Sequence, residues 1–492
     1  MIYDTIILGA GLSGLTCGLL LAKSGRKVLI VEQHPEPAPV VRGFSRQGIY
    51  FDSGFHYVGG MGEGGPLQHL IKHLGLTDKL ESFPFADGGF DCLRIRGEAD
   101  DIHLPVGLAG ITDSLTGKFP GLNLQIENFL NDIAQRWRDF PYLDLDKNFS
   151  DNDLKSVHEQ SLGQRLEDFS AAPVLQTLLS MHSLLYGVSP QDASVTLNAQ
   201  VAGSYFHSVH GIVGGGRSLI DAYLERLAET GTTLRCRADV SRILVADGRV
   251  AGVQLATGET ITAAEVVATC NPALVPALVP PGFLRPAYRK RLTDLRQTPS
   301  ALILFARCQV PTSLLWRRNM FIFPRSGTVA VDLECPLEER PMYLAGASHC
   351  TDTDEVKGII AIVPTAADEV SLWNNSSGRR CSGYRGWKQG MAERLVRHIK
   401  ASCPELGSLT PLELATPLTL QDYSRAPQGA IYGVGRFLGQ HNPQPQTRLP
   451  GLYLSGQAVA GPGLLGTIVA GYYTCGTMTD HELLRGELRA CR

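Results

Sequence analysis

Tyr3-Asp4-Thr5-Ile6-Ile7-Leu8-Gly9-Ala10-Gly11-Leu12-Ser13-Gly14 is the stretch that decides the fold. Tyr3 to Leu8 is the short apolar run of a buried parallel strand. A helical pattern runs from Leu15 through Lys23 and closes at Gly25. Lys27 to Val31 is a second buried strand, and Glu32 ends it. The order is β-α-β, with G-x-G-x-x-G at the first turn and an acid 18 residues after Gly14. Gly9 permits the tight turn, Gly11 lets the backbone approach a pyrophosphate, and Gly14 lets helix and strand pack closely. Leu12 and Ser13 open a helix whose N-terminus offers free N–H groups and a positive dipole end to phosphates. Glu32 can accept hydrogen bonds from both ribose hydroxyls of an adenosine. A carboxylate there repels a 2′-phosphate, which disfavours NADP and leaves FAD and NAD.

Working outward, the chain has 492 residues, 43% hydrophobic and 19% charged, enough for a large core spread over two or three domains. Lys+Arg is 45 against Asp+Glu 48, so no overall basic field points to nucleic acid. The 11 cysteines are scattered from Cys17 to Cys491 with no Cys-x-x-Cys, which reads as reduced thiols in a cytoplasmic protein. His69/His73 and His207/His210 have metal-compatible spacing but no accompanying acid or Cys cluster, so no metal site is expected. Thr5 to Leu21 is apolar where a signal peptide would lie, yet Asp4 precedes it and its glycines fall at the nucleotide spacing. No other stretch has the ~18 uninterrupted apolar residues of a membrane span.

Two more segments decide between the cofactors. Phe51-Asp52-Ser53-Gly54-Phe55-His56-Tyr57-Val58-Gly59-Gly60 and Gly451-Leu452-Tyr453-Leu454-Ser455-Gly456-Gln457 resemble the flavin-dependent amine oxidase and phytoene desaturase superfamily. Within it they are most similar to the branch of carotenoid isomerases and retinol saturases, which carry a like FD-x-G-x-HY-x-G segment. The resemblance covers most of the chain and implies FAD as cofactor. It implies an α/β architecture: a discontinuous Rossmann-type FAD-binding domain from residues 1–75, 206–284 and 441–492, with an inserted α+β substrate domain from 76–205 and 285–440. Expected FAD contacts are Gly9, Gly11, Leu12, Ser13, Gly14, Glu32 and Gln33, then Arg42 and Gly54 in the loops beyond. Val240 is expected beside the adenine, and Gly456, Gln457, Gly463, Leu464 and Leu465 in the closing strand-loop-helix.

Local patterns fill in the rest. A β-meander is expected from Ser241 to Ala268, with turns at Asp247-Gly248 and Thr257-Gly258. Helical stretches are expected at Pro173–Leu185 and Trp387–Ala401, strands at Ser300–Phe305 and Gly358–Val363, and a loop at Asn374–Gly383. Gly214-Gly215-Gly216 superficially resembles a second phosphate loop, but its spacing differs and no ribose acid follows, so it reads as a turn into a helix. Two positions depart from the family pattern. Where relatives carry a Gly-Gly pair, this chain reads Ala38-Pro39 and then Val40-Val41-Arg42. Pro39 has no N–H to offer a phosphate, so Arg42 is expected to supply charge instead. Where many relatives have Asp after Gly-Gln, this chain has Ala458.

The flavin supplies hydride chemistry, and no nucleophile elbow, Walker loop or zincin signature competes. The resemblance implies a hydrophobic polyene or isoprenoid substrate whose carbon–carbon double bonds are saturated, isomerised or desaturated. The His-Tyr loop tilts the reading toward the first two. His56, Tyr57 and Tyr432 are the expected catalytic side chains, with Thr419 beside them. The apolar set Phe83, Phe85, Phe90, Leu178, Leu179, Met181, Leu184, Leu185, Tyr186 and Phe206 reads as core more readily than as a substrate tunnel. Trp316 to Arg325 mixes aromatic and basic residues and reads as a loop and buried strand, ahead of a peripheral contact with the inner face of a membrane. An amine or amino-acid oxidase, and a non-catalytic binding protein on the same scaffold, are the alternative readings.

Overall fold

β1 (Ile2–Leu8), α1 (Leu12–Lys23) and β2 (Val28–Val31) form the β-α-β unit that the glycine spacing predicts. The computed structural model describes residues 2–148, 160–169, 172–328, 332–347, 353–374 and 380–491. β1 and β2 pair in parallel from Thr5↔Val28 to Leu8↔Val31. The strand Thr260–Ala268 runs parallel to β1 on its other side, from Ile2↔Thr262 to Leu8↔Ala268. Thr233–Arg235 extends the sheet beyond β2, and Leu452–Leu454 pairs in parallel with the end of Thr260–Ala268. The first half of that strand instead carries an antiparallel meander, Arg249–Leu255 and then Val240–Ala246. Its hairpin turns through Asp247 (φ +50°) and Gly248 (φ +74°), both left-handed, the geometry that a two-residue turn between twisted strands requires. One seven-stranded sheet is thus built from three separate stretches of chain.

α1 lies against this sheet so closely that ten of its twelve residues are buried. Leu15, Leu19 and Leu21 are fully covered, each worth about 1.5–3 kcal/mol of burial. The helices Gly463–Met478 and Gly215–Glu229 flank α1. Small residues make the approach possible. A Cβ on Gly18 would stand 2.7 Å from Ile30 Cδ1, and one on Gly471 2.7 Å from Thr16 Cγ2. Polar ties cross the same seam: Thr16 Oγ1 lies 2.9 Å from Tyr223 Oη, and Ser13 Oγ 2.7 Å from Ser455 Oγ.

The second sheet also has seven strands, in the order Leu409–Ala415, Ser300–Thr312, Val356–Thr365, Met342–Ala347, Asn319–Phe323, Asp91–Ile95, Ile102–Leu104. Only Asn319–Phe323 and Asp91–Ile95 run parallel to each other. Period-two alternation gives the sheet two different faces. Leu302, Leu304, Leu344, Ile359 and Ala361 pack against Ala392, Leu395 and Ile399 of the helix Tyr384–Ser402. Ile303, Tyr343 and Ile362 point the other way, toward the first sheet, and line the space between them.

Several expectations shift in detail. The stretch Pro173–Leu185 is an α-helix to Ser180 and then a 3₁₀ turn, Met181–Leu185. Within the expected loop at 374–383, residues 375–379 lie outside the described residues. Asn319–Phe323 is buried at all five positions, so the aromatic part of Trp316–Arg325 is core. Arg317 stands over the rings of Phe83 and Trp316, and Arg318 donates to the Gly89 carbonyl. Among the described residues no helix is long and apolar enough to cross a membrane.

A Cβ on Gly14 would collide with the Gly9 carbonyl oxygen, which is backbone and cannot move aside. Gly14→Ala should therefore lower unfolding stability by about 1–3 kcal/mol, read by urea titration. A stability equal to wild type would mean that helix and strand do not meet at this point.

Candidate active site

The carboxyl ends of the parallel strands and the inner face of the second sheet enclose a cavity of about 600 Å³, where open α/β sheets place their ligands. Gly9 follows β1 with φ +105°, and Thr269 Oγ1 donates to the Leu8 carbonyl at 2.8 Å beneath it. Gly11 is the N-cap of α1, without a side-chain cap, and nothing lies within 4 Å of where its Cβ would be. A second helix N-terminus, that of Gly463–Met478, also lacks a side-chain cap, and Gly463, Leu464 and Thr467 line the same cavity. Two uncapped N-termini aimed into one space suit an extended ligand with anionic or electron-rich groups. Glu32 lies at the end of β2, 8% exposed. Its Oε2 accepts from Ala10 N and its Oε1 from His34 N, each at 2.8 Å, which fixes the carboxylate and leaves lone pairs for a ribose. Gln33 Oε1 beside it is buried without a partner.

The loops after β2 form the next wall. Ala38, in the left-handed region at φ +47°, accepts from Val41 N and Arg42 N through its carbonyl and curls the loop. Ser53 Oγ donates to the Val40 carbonyl at 2.7 Å, and a Cβ on Gly54 would stand 2.6 Å from that oxygen. Asp52 turns away from the cavity. Its Oδ1 accepts from Gly216 N at 2.7 Å and from Tyr50 Oη at 3.2 Å, while burial pushes its carboxyl up to about 7. The glycine run at 214–216 is therefore filled by the chain's own carboxylate and is a turn into the helix Gly215–Glu229.

The apolar side of the cavity carries Leu184, Leu185, Ile303, Ile362 and Ile431, with His56, Tyr343 and Tyr432 among them. His56 Nδ1 and Tyr343 Oη are buried with no partner, and the two rings lie 5.7 Å apart. Burial lowers His56 to about 4, so the imidazole is neutral at ordinary pH. Burial raises Tyr343 and Tyr432 above their usual value and keeps both phenols protonated.

Behind this wall lies a fully enclosed polar cluster. Asp91 is 0% exposed and His182 1%. Asp91 Oδ2 accepts from Tyr57 Oη at 3.0 Å and lies 2.8 Å from His182 Nε2, and Oδ1 accepts from Asn319 Nδ2 at 3.0 Å. The Tyr57 ring lies tilted against that of Tyr205, with centroids 4.5 Å apart. An enclosed carboxylate is tolerated only with such a full set of donors.

Residues 12–356 match the family model described as flavin containing amine oxidoreductase. The chain belongs to this family. It is an oxidoreductase, and its cofactor is FAD. It is 25% identical to the all-trans-retinol 13,14-reductase of Macaca fascicularis, over 94% of this chain and 83% of that protein. It is also 25% identical to the hydroxyneurosporene desaturase of Rubrivivax gelatinosus, over 97% and 94%. An oxidoreductase of known structure from Methanosarcina mazei superposes with a TM-score of 0.69 at 16% identity, covering 97% of this chain and all of that one.

Within this flavoprotein the cavity brings together Gly9, Gly11, Leu12, Ser13, Glu32, Gln33, Gly54, Val240, Gly456, Gln457, Gly463 and Leu464 with His56 and Tyr432. Gly14 and Leu465 stand off the cavity, Gly14 as the packing contact of α1. Arg42 turns aside: its guanidinium pairs with Asp221 at 3.1 Å and Glu36 at 3.8 Å. Tyr57 is likewise not on the cavity wall but points into the Asp91 cluster. Of the apolar set, only Leu184 and Leu185 reach the cavity. Tyr343 and the Asp91–His182 pair carry no sequence signal beyond ordinary strand and helix patterns.

Asp91→Ala should cost about 3–5 kcal/mol in chemical denaturation, since it strands Tyr57, His182 and Asn319 together. Folded, His56 resists protonation until about pH 4, whereas unfolded it protonates near its ordinary 6.5. Its contribution to stability is therefore complete above pH 6.5 and is lost as pH falls toward 4. The unfolding free-energy difference between wild type and His56→Gln should be flat above pH 7 and shift against wild type below 6.5. A difference independent of pH would show that His56 is not shielded from water.

Proposed function

We propose that the chain is an FAD-dependent oxidoreductase acting on carbon–carbon double bonds of a hydrophobic polyene or isoprenoid. The apolar wall of the cavity carries this reading: Leu184, Leu185, Ile303, Ile362 and Ile431 offer a hydrocarbon nothing but contact. The retinol reductase and the carotenoid desaturase among its relatives support the same substrate class. The cavity's acidic side chains, Glu32 and Asp239, both lie on the dinucleotide side. Among the described residues, a cationic amine would meet no carboxylate on the apolar wall.

In this reading Gly9, Gly11, Leu12 and Ser13 hold the FAD diphosphate at the N-terminus of α1, and Glu32 holds the ribose. Val240 borders the adenine. Gly456, Gln457, Gly463 and Leu464 border the far end. When bound, FAD supplies hydride transfer. Tyr432 holds a proton at Oη for the carbon that receives no hydride, and burial keeps that proton in place near neutral pH. His56, neutral and unpaired at Nδ1, orients the polar side of the reaction space without adding charge. The Asp91 cluster anchors Tyr57 and, through it, the adjoining His56. The proposed FAD-binding domain, 1–75, 206–284 and 441–492, and substrate domain, 76–205 and 285–440, are supported by the strands of the two seven-stranded sheets, which divide between these ranges.

The test is anaerobic. The chain is loaded with FAD, the flavin is reduced chemically, and conjugated polyenes are added while flavin absorbance and product mass are followed. Reoxidation with a product two hydrogens heavier establishes saturation, and an unchanged mass with altered retention establishes isomerisation. Oxidised enzyme that removes two hydrogens establishes desaturation. Turnover of amines with peroxide release, and of no polyene, would replace the proposal with the amine oxidase reading. Tyr432→Phe should lower turnover by about 10²–10⁴-fold with polyene affinity unchanged.

A further inference from the structure

The cation expected beside the cofactor, Arg42, is engaged by Asp221 and Glu36 and is not on the cavity wall. Among the described side chains that line the cavity, Arg425 is the one permanent cation. It caps the helix Pro417–Ser424 and holds a left-handed backbone, φ +53°, that a non-glycine residue adopts only under constraint. Its guanidinium meets Asp239 fork to fork, Nη1 to Oδ1 at 2.8 Å and Nη2 to Oδ2 at 2.9 Å. Asp239 immediately precedes Val240, at the start of the meander.

A second tie runs alongside. The Tyr423 ring lies 5.2 Å from the ring of His34, two residues after Glu32. Leu420, Tyr423, Ser424, Arg425 and Ala426 line the cavity together with Glu32, Gln33, Ala238 and Asp239. Segment 420–426 follows the second sheet's strand Leu409–Ala415, whereas Gln33 and His34 follow β2 and Asp239 precedes Val240–Ala246 of the first sheet, the two loops being joined by Ala238 N to the Glu32 carbonyl and Arg237 N to the His34 carbonyl. The two contacts therefore bridge the adenosine side of the cavity. The side chains of the ion pair are 52% and 39% exposed, too wet to add much to global stability. A strained residue held in an ideal but half-exposed pair, on the wall of a ligand cavity, is poorly explained as a folding device.

We infer that Arg425, locked on Asp239, is a latch that retains the adenosine half of FAD. The inference rests on the proposed seating of FAD between Glu32 and the two helix N-termini. For the adenosine to leave, segment 423–426 must part from His34 and Asp239, a local opening that leaves both sheets intact. Salt screens a half-exposed pair, so raising ionic strength should speed release.

The experiment follows FAD fluorescence after dilution of the loaded protein, at low and high salt, for wild type, Arg425→Gln, Asp239→Asn and the double variant. Release from each single variant should be about three- to tenfold faster than from wild type at low salt and should lose its salt dependence. The double variant should release no faster than either single one. The FAD-free proteins should melt together, which separates a latch from a folding defect. Unchanged release in both single variants overturns the latch. Faster release in Arg425→Gln alone also overturns it, because Arg425 would then hold the cofactor without Asp239. A wild type that retains no FAD overturns the seating itself, an outcome distinct from tight FAD with unaltered release.

Discussion

The carbonyl oxygen of Gly9 occupies the space that any side chain at position 14 would need. This one backbone contact sets how near α1 comes to β1, and much else follows from it. Because the helix sits so close, its first turn opens directly onto the end of the strand instead of overhanging it. Because Gly9 turns with positive φ, Ala10 N can reach the Glu32 carboxylate across the gap between β1 and β2. Thr269, arriving at the end of the neighbouring parallel strand, closes the turn from below. Three strand ends, a helix N-terminus and an anchored carboxylate are thereby fixed relative to one another by main-chain geometry.

What could be read in advance was what is local. The glycine spacing, the acid after β2 and the two-residue hairpin at Asp247-Gly248 each depend on residues close in sequence, and each stands where its pattern places it. The FAD fold was legible for the same reason, since its signature lies in short uninterrupted segments. Pairings at long range were not legible. Tyr57 sits next to His56 in sequence, yet alternation sends the two side chains in different directions, one to Asp91 and one to the cavity. Asp91 finds His182 at a separation of 91 residues, a partnership that neither flanking sequence announces. Arg42 and Arg425 show the same limit. The missing N–H of Pro39 favoured the first, but Asp221, on a helix far along the chain, takes it up.

The second sheet acts as a rigid rear wall. One face is sealed by the helix Tyr384–Ser402, which leaves the other free to present alternate residues to the cavity. Tyr343 is set between Met342 and Leu344, both fully buried on the opposite side, so its backbone cannot shift without lifting the strand, and its ring packs against Phe321 at 5.1 Å and His56 at 5.7 Å. Side chains mounted in this way keep their place when the ligand is absent, the preorganisation that differential binding of a transition state requires.

The first sheet also bears on how the molecule comes to exist. β1 leaves the ribosome more than 250 residues ahead of its parallel neighbour Thr260–Ala268, and Leu452–Leu454 follows later again. The helix that brings the second uncapped N-terminus follows later still. No nascent chain short of Gly463 can present both uncapped helix N-termini to the cavity. Until then the buried faces of β1 and α1 wait without their covers. The sequence separation of these pairings makes folding slow and leaves the unfinished chain dependent on protection from aggregation.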